Sequence, residues 1–443
     1  MSISPLPVFA LIPLCFALVA ADSAAEEITL SQAYQLALEH APDVDIARFQ
    51  IDGAEARKGQ VLGKLLPQAT AFGQWSKNKI SYESDPLFPG DLDYPGQRYG
   101  VSVRQSLLAV SDGIELSRQN KLIQLSKDEL RITEAELFSE LLEAYLDILL
   151  SDAELVLLND EILSVAAQLK EARALFKKNL IPVTEVLETE SRLDILKSDL
   201  IMAEGQAAVS REFLSTLTGL PGGEPMAVTE NLALLARFSG PDAAATVALA
   251  SDPSIDAAQS KVEAAEKAVL REKARWVPDV YLSYNYQHSD VGFDNQRSPS
   301  RDTSTFAIDF SYPIFEGGAR LARIKGASAE YSTAVTKLRA QQLDTETRAR
   351  SAWLIFDAAT QRLLSTKKAV TSADVNVIAT RRSAKAGTAR YTDVLLALAQ
   401  HSRALRDLID ARFFHARAWV ELELAVGASP APLAKTLSTL LHR

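Results

Sequence analysis

The sequence has almost no sulfur: one cysteine and three methionines in 443 residues. With Cys15 as the single thiol, neither a disulfide framework nor a cysteine-ligated metal site is available. Histidine is scarce as well. His40, His288, His401, His415 and His442 show no ligand spacing, so no metal site is expected. The phosphate loop GxxxxGKS/T, the GxGxxG turn and the HExxH helix are absent, and the plentiful carboxylates fall on the solvated faces of heptad-patterned helices. Neither enzymatic chemistry nor a bound cofactor is expected. Positive charge is in the minority, with 47 Lys plus Arg against 57 Asp plus Glu and a formal charge of -10, which argues against nucleic acid as a partner. Beyond the N-terminal region no run of about 18 apolar residues occurs, so no transmembrane helix is expected.

What is present is enough apolar material for a substantial core, at 47% hydrophobic residues. The stretch Leu6 to Ala20 is apolar and is followed by the small residues AADSAAEE, the pattern of a signal-peptide core and its cleavage region. Residues 1–25 are therefore read as an export signal, although the first five residues carry no Lys or Arg. Bulky Leu14 before Cys15 argues against a lipoprotein anchor.

The remainder reads as two related halves. An offset of 211 carries Ala37, Leu38, Pro42, Asp45, Ala47, Ala54, Glu55 and Pro67 onto Ala248, Leu249, Pro253, Asp256, Ala258, Ala265, Glu266 and Pro278. An offset of 208 carries Ala144, Thr184, Val186, Leu187 and Gly219 onto Ala352, Thr392, Val394, Leu395 and Gly427. The expected organisation is a first repeat over 26–240, a second over 241–428 and a C-terminal tail over 429–443.

Within each half the helical signal is long. Ile114 to Ile181 is 68 residues without Gly or Pro, and its counterpart Ala319 to Ala386 is interrupted only by Gly326. Leu141, Ile148, Leu155, Ile162, Leu169 and Phe176 recur every seven residues, and Ala144, Leu158, Val165 and Ala172 stand three residues behind members of that row, the spacing of a coiled-coil seam. A straight helix of that length runs roughly 100 Å. Pro182 is placed in the first turn of a return helix reaching Thr218, with Gly219 after it, and the second return helix is expected from Thr388 to Val426. Together with the first return helix this makes a long helical hairpin over 113–219, matched by a second over 319–427. Shorter helices, Asp43 to Leu66 and Ser254 to Val277, complete rods that match the long ones.

Two segments break the helical period. Over 67–108 and 278–315 the pattern alternates in twos, as expected of four strands in two hairpins. The apolar members are Tyr99, Val101 and Val103, then Val280, Leu282, Tyr284 and Tyr286, then Phe306, Ile308, Phe310 and Tyr312. Residues 67–108 and 276–315 hold 15 of the 31 aromatics, more than twice their share, as at a bilayer interface. Strands of about ten residues suit an outer-membrane span, with the polar connectors Ser76 to Gln97 and His288 to Asp302 as outer loops. Four strands cannot close a barrel, so several chains must share one.

These features resemble the TolC-like outer-membrane efflux proteins: the opening ITLSQAYQLALEHAPDVDIAR, the helix-ending LLPQ and WVPD, YPIFEGG after the last strand, and AGTARYTDVLLALAQ at a helical turn. The resemblance implies a mainly α fold with four β-strands in a duplicated half-repeat. Three chains would build one β-barrel in outer-membrane lipid, continued by a long α-helical coiled-coil barrel in the periplasm. It also implies passive conduction, with a periplasmic adaptor (membrane fusion) protein and an inner-membrane transporter as partners. By the same resemblance the turns at Leu180 and Pro182, and at Gly387 and Thr388, are adaptor-docking tips. Asp393 falls where the family carries an aperture acid, Leu396 stands where a second acid often follows, and Asn179 replaces a tip glycine, so the first tip is expected to pack differently. Glu185 and Glu188 share one helical face and are further aperture candidates, though acids in a first turn are favoured by the helix dipole alone. The competing expectation is a soluble periplasmic coiled-coil adaptor or scaffold with no barrel.

Overall fold

The structure is a computed structural model and describes residues 27–82, 90–225, 234, 237–292 and 297–441. The signal peptide and Cys15 lie outside the described residues. Two very long helices organise the chain, α3 (Val110–Lys177) and α7 (Ala319–Lys385), of 68 and 67 residues. At 1.5 Å per residue each is about 100 Å long. Beside α3 lie α4 (Val183–Thr218) and α2 (Pro42–Leu65), and beside α7 lie α8 (Tyr391–Ala425) and α6 (Pro253–Ala274). The shorter helices meet end to end. Gly219 after α4 abuts the His40 ring just before α2, and Gly427 after α8 abuts the Ser251 carbonyl just before α6. Both glycines have positive φ, 67° and 81°, and any Cβ there would collide with those neighbours.

Two short helices precede these junctions, α1 (Leu30–His40) and α5 (Pro241–Ser251). Each ends where a proline forces the preceding residue into extended backbone, Ala41 before Pro42 and Asp252 before Pro253. The Thr29 hydroxyl accepts from the Gln32 N–H while the Gln32 side chain accepts from the Thr29 N–H, a capping box that fixes the start of α1. The largest core cluster gathers here, around the middle of α3 and α7. Tyr34 packs edge-on to Phe138, with centroids 5.2 Å apart, and the Tyr145 hydroxyl donates to the Ile28 carbonyl at 3.1 Å. The segment expected as a tail is instead a helix, α9 (Pro430–Leu441), whose Leu433, Ala434 and Leu437 join this core beside α1. A two-residue parallel pairing of β1 (Glu27–Ile28) with β4 (Glu224–Pro225) closes the same region.

Several expected boundaries move. Gly113 does not delay α3, which starts at Val110, because an exposed first-turn glycine costs little there. Pro182 is not in the first turn of α4 but is its N-cap, with extended backbone at ψ 157°. The helix α8 begins at Tyr391 rather than Thr388. Most of the seam is buried, with Leu141, Ile148 and Leu169 of the heptad row joined by Ala144, Leu158, Val165 and Ala172, while Leu155 and Ile162 are only half-buried and Phe176 is exposed. A helix in this body packs against neighbours on more than one side, so a single heptad row does not carry the contact.

The strands form one antiparallel sheet in the order β2 (Gln68–Tyr82), β3 (Gly90–Leu108), β5 (Asp279–Val291), β6 (Arg297–Ser311). They run 13 to 19 residues rather than ten, and the pairing of β2 with β3 extends over Ser76–Tyr82 and Gly90–Gln97 of the segment expected as a loop. Likewise His288 to Val291 and Arg297 to Asp302 are strand. The apolar alternation marks only the part suited to lipid, whereas a hydrogen-bonded ladder can continue into polar surroundings. Among the described residues no helix is long and apolar enough to cross a membrane.

Candidate functional site: the sheet face and the helical tips

Cross-strand register decides which side chains share a face, because directly paired residues point the same way. Val103 pairs with Tyr284 and Tyr284 with Phe306; Val101 pairs with Tyr286; Leu282 pairs with Ile308 and Val280 with Phe310. All the nominated strand residues from Tyr99 to Phe310 therefore lie on one face, and Tyr312 follows one residue beyond β6. The face is open: Phe306, Ile308 and Phe310 are 70%, 66% and 68% exposed. On β2 the same face carries Ala69, Ala71, Gly73 and Trp75. The reverse face is polar, with Thr70, Ser102, Arg104, Ser283, Asn285, Gln287 and Thr305. Its aromatic residues include Tyr281, with Arg104 3.6 Å above the ring, Phe72, which lies over Gly100, and the buried Tyr94.

At the upper limit of the apolar face sits a polar row. His288 Nδ1 lies 2.8 Å from Asp302 Oδ1, the Tyr286 hydroxyl donates to that same oxygen at 3.2 Å, Ser300 Oγ lies 3.2 Å from His288 Nε2, and Tyr99 stacks on the imidazole. The order Ser–His–Asp copies a hydrolase triad. On an open strand surface it serves to satisfy polar groups where the apolar face ends. At the lower limit, Arg320 is buried between the Trp276 and Tyr312 rings and donates to the Pro313 carbonyl, while Ile314 and Phe315 beside it are exposed.

The opposite end of the rods carries the tips. After α3 the chain turns at Asn179, with φ 56°, and Leu180 N–H donates to Leu175 O at 3.0 Å; after α7 it turns at Gly387, with φ 75°, and Thr388 N–H donates to Ser383 O at 3.0 Å. Both are Schellman turns. The asparagine thus keeps the same backbone turn as Gly387, since Asn tolerates the left-handed conformation better than other side chains. Leu180, Pro182, Gly387 and Thr388 are exposed, and Val183 and Leu187 add apolar surface beside Leu180.

The nominated acids differ in their surroundings. The Asp393 carboxylate accepts from the Arg390 N–H at 2.9 Å, the reach-back half of a capping box. Glu188 is exposed. Glu185 is half-buried, and its Oε2 has no hydrogen-bond partner. Nearby, the Tyr391 hydroxyl donates to Gln168 O at 2.8 Å and its ring packs against the cluster containing Val186 and Leu169, so α8 begins against the first tip. Burial, together with Glu171 and Glu185, pushes the Tyr391 phenol above its usual range, keeping it a donor.

Sequence reasoning missed one group. Glu161 on α3 is buried and accepts from Arg192 on α4 at 2.6 Å and from Arg406 on α8 at 2.7 Å. Its partners lie 31 and 245 residues away, and no local pattern announces them.

Known proteins share this architecture. A family model described as "Outer membrane efflux protein" matches twice, over residues 33–220 and 245–428. The alkaline protease secretion protein AprF of Pseudomonas aeruginosa is 27% identical over 416 residues, covering 90% of this chain and 84% of its own. The outer membrane protein TolC of Vibrio cholerae is 23% identical, covering 90% of each chain. Among solved structures, CusC superposes with a TM-score of 0.80 at 16% identity, covering 91% of this chain and 92% of that one, and VceC of Vibrio cholerae with 0.77 at 18%, covering 90% and 96%. With both halves of its length matched by that model, the chain belongs to the outer membrane efflux protein family.

Proposed function

We propose that three copies of the chain, each giving four strands, close one barrel in the outer membrane and continue it into the periplasm as a helical tunnel. The observation that carries this is the sheet, with one open apolar face, one polar face and two edge strands, β2 and β6, that pair with nothing else among the described residues. In lipid an unpaired edge costs several kcal/mol per orphan group, so the edges must meet those of other copies. The two halves, 26–240 and 241–428, act as duplicated units. The double family match and the identical turns, related by an offset of 208, support that reading.

Conduction is passive, and a periplasmic adaptor docks on Leu180, Pro182, Gly387 and Thr388 to join the duct to an inner-membrane transporter. Asp393, with Glu185 and Glu188, lines the aperture between the tips. Two relatives, AprF and the Dickeya chrysanthemi protein PrtF, are named for protease secretion, which favours type I secretion of a polypeptide over small-molecule efflux. A soluble adaptor fits poorly, because it would expose the Phe306–Ile308–Phe310 face to water.

The test is outer-membrane fractionation with in-vivo cross-linking from Leu180 and Thr388. Recovery in the outer membrane with an adaptor captured at the tips supports the assembly. Recovery in the soluble periplasm refutes it.

A further inference from the structure

The polar face of the sheet is not electrically uniform. Arg98 on β3 pairs with Ser289 on β5, and Ser289 pairs with Arg301 on β6, so one cross-strand row on that face reads Arg, Ser, Arg. With strands about 4.8 Å apart, the two arginine Cα atoms lie about 10 Å apart, within reach of a single multivalent anion. Ser289 Oγ is turned to the Val291 carbonyl at 2.7 Å. Arg98 donates from Nη2 to the Gly292 carbonyl at 3.3 Å, and its buried Nε has no partner. Among the described residues neither Arg98 nor Arg301 is in an ion pair.

Acids on the same face of β5 and β6 are distant. Asp309 is eight residues further along β6 than Arg301, about 26 Å at 3.3 Å per residue, several times the ~8 Å screening length at physiological ionic strength. Arg104 differs, because its row adjoins the row of Tyr281 and Asp309. The nearer acids are engaged elsewhere: Asp302, on the opposite face, takes the His288 and Tyr286 bonds, and Asp290, in the bulge after Ser289, accepts from the Gln97 N–H. In a chain of net charge -10, this row holds two arginines that no described carboxylate pairs.

We infer that Arg98 and Arg301 form a polyanion-binding ring at the outer mouth of the duct. The inference rests on the duct reading, in which three copies bring six guanidinium groups around one lumen at the end opposite the Asp393 tips. Rings of arginine confer affinity for anions, and guanidinium groups bind phosphate and carboxylate oxygens in pairs. The ligand class is a flexible polyanion, such as an acidic polymer segment leaving or entering the barrel.

The test uses the full-length protein in planar bilayers, with sodium hexametaphosphate added to one side at a time. Wild-type channels are blocked from one side only, and in the R98Q/R301Q double variant the blocking affinity falls at least about tenfold, while R98K/R301K keeps most of it. If the double variant does not assemble, R301E alone decides, since Arg301 is exposed on the strand surface: it must abolish the block. Block equal in wild type and variants overturns the inference and leaves the duct standing. A wild type that forms no channel overturns the duct reading and the inference together.

Discussion

Glu161 shows how one side chain can tie the two halves together. Its carboxylate is buried on α3 and shared by an arginine from α4 and another from α8. Removing one member of a buried ion pair costs about 3–5 kcal/mol, and because both arginines are about a third exposed we expect less for Glu161→Ala, about 2–3 kcal/mol. A drop in unfolding temperature tests this; none would show that water replaces the bonds. Asp393→Ala is expected to weaken block by multivalent cations in single-channel recordings, because a ring of acids in a narrow pore attracts them. Unchanged block removes Asp393 from the aperture. His415 is a third case, buried on α8 against the Phe356 ring, with Thr360 3.1 Å from Nε2. Burial and nearby Lys367 hold its imidazole below the usual range. The unfolded chain therefore binds the proton first: the contribution of His415 is whole above about pH 6.5 and declines as pH falls below it. His415→Gln should flatten the pH dependence of the unfolding temperature below about pH 6.5, and an unaltered profile would assign acid sensitivity elsewhere.

At the scale of elements, the most crowded of the described sheet glycines is Gly100. A Cβ there would collide with the Tyr286 carbonyl oxygen and press on the Phe72 ring, so Gly100→Val should break the pairing of β3 with β5. Loss of the heat-modifiable, folded band on gels is the expected result; a normal band would mean that the strands part without cost. The long helices and the alternating faces are legible because period and length are local properties, and the every-other-residue pattern reads directly in Tyr99, Val101 and Val103. The capping box of Thr29 and Gln32 is equally local and lies inside the opening motif, yet the motif by itself assigns no helix boundary there. Strand ends are not legible, because hydrogen bonding beyond the apolar band leaves no hydropathy signal. The helical nature of α9 escapes because Leu433, Ala434 and Leu437 are buried near α1, where the Ser31 N–H donates to Ser438 Oγ across 407 residues of sequence. Glu161 escapes for the same non-local reason.

For the whole molecule the decisive quantity is the number of chains that share the sheet edges. The proposed closure, polar face inward and apolar face outward, needs more than one chain, because four strands fall short of the smallest barrels, which have about eight. Exposed apolar residues such as Met202 and Val209 on α4 and Leu364 and Val375 on α7 also call for neighbours along the rods. The direct measurement is the mass, by native mass spectrometry, of the particle extracted from the outer membrane in detergent. The account requires three chains per particle; a single chain, stable in water without detergent, contradicts it.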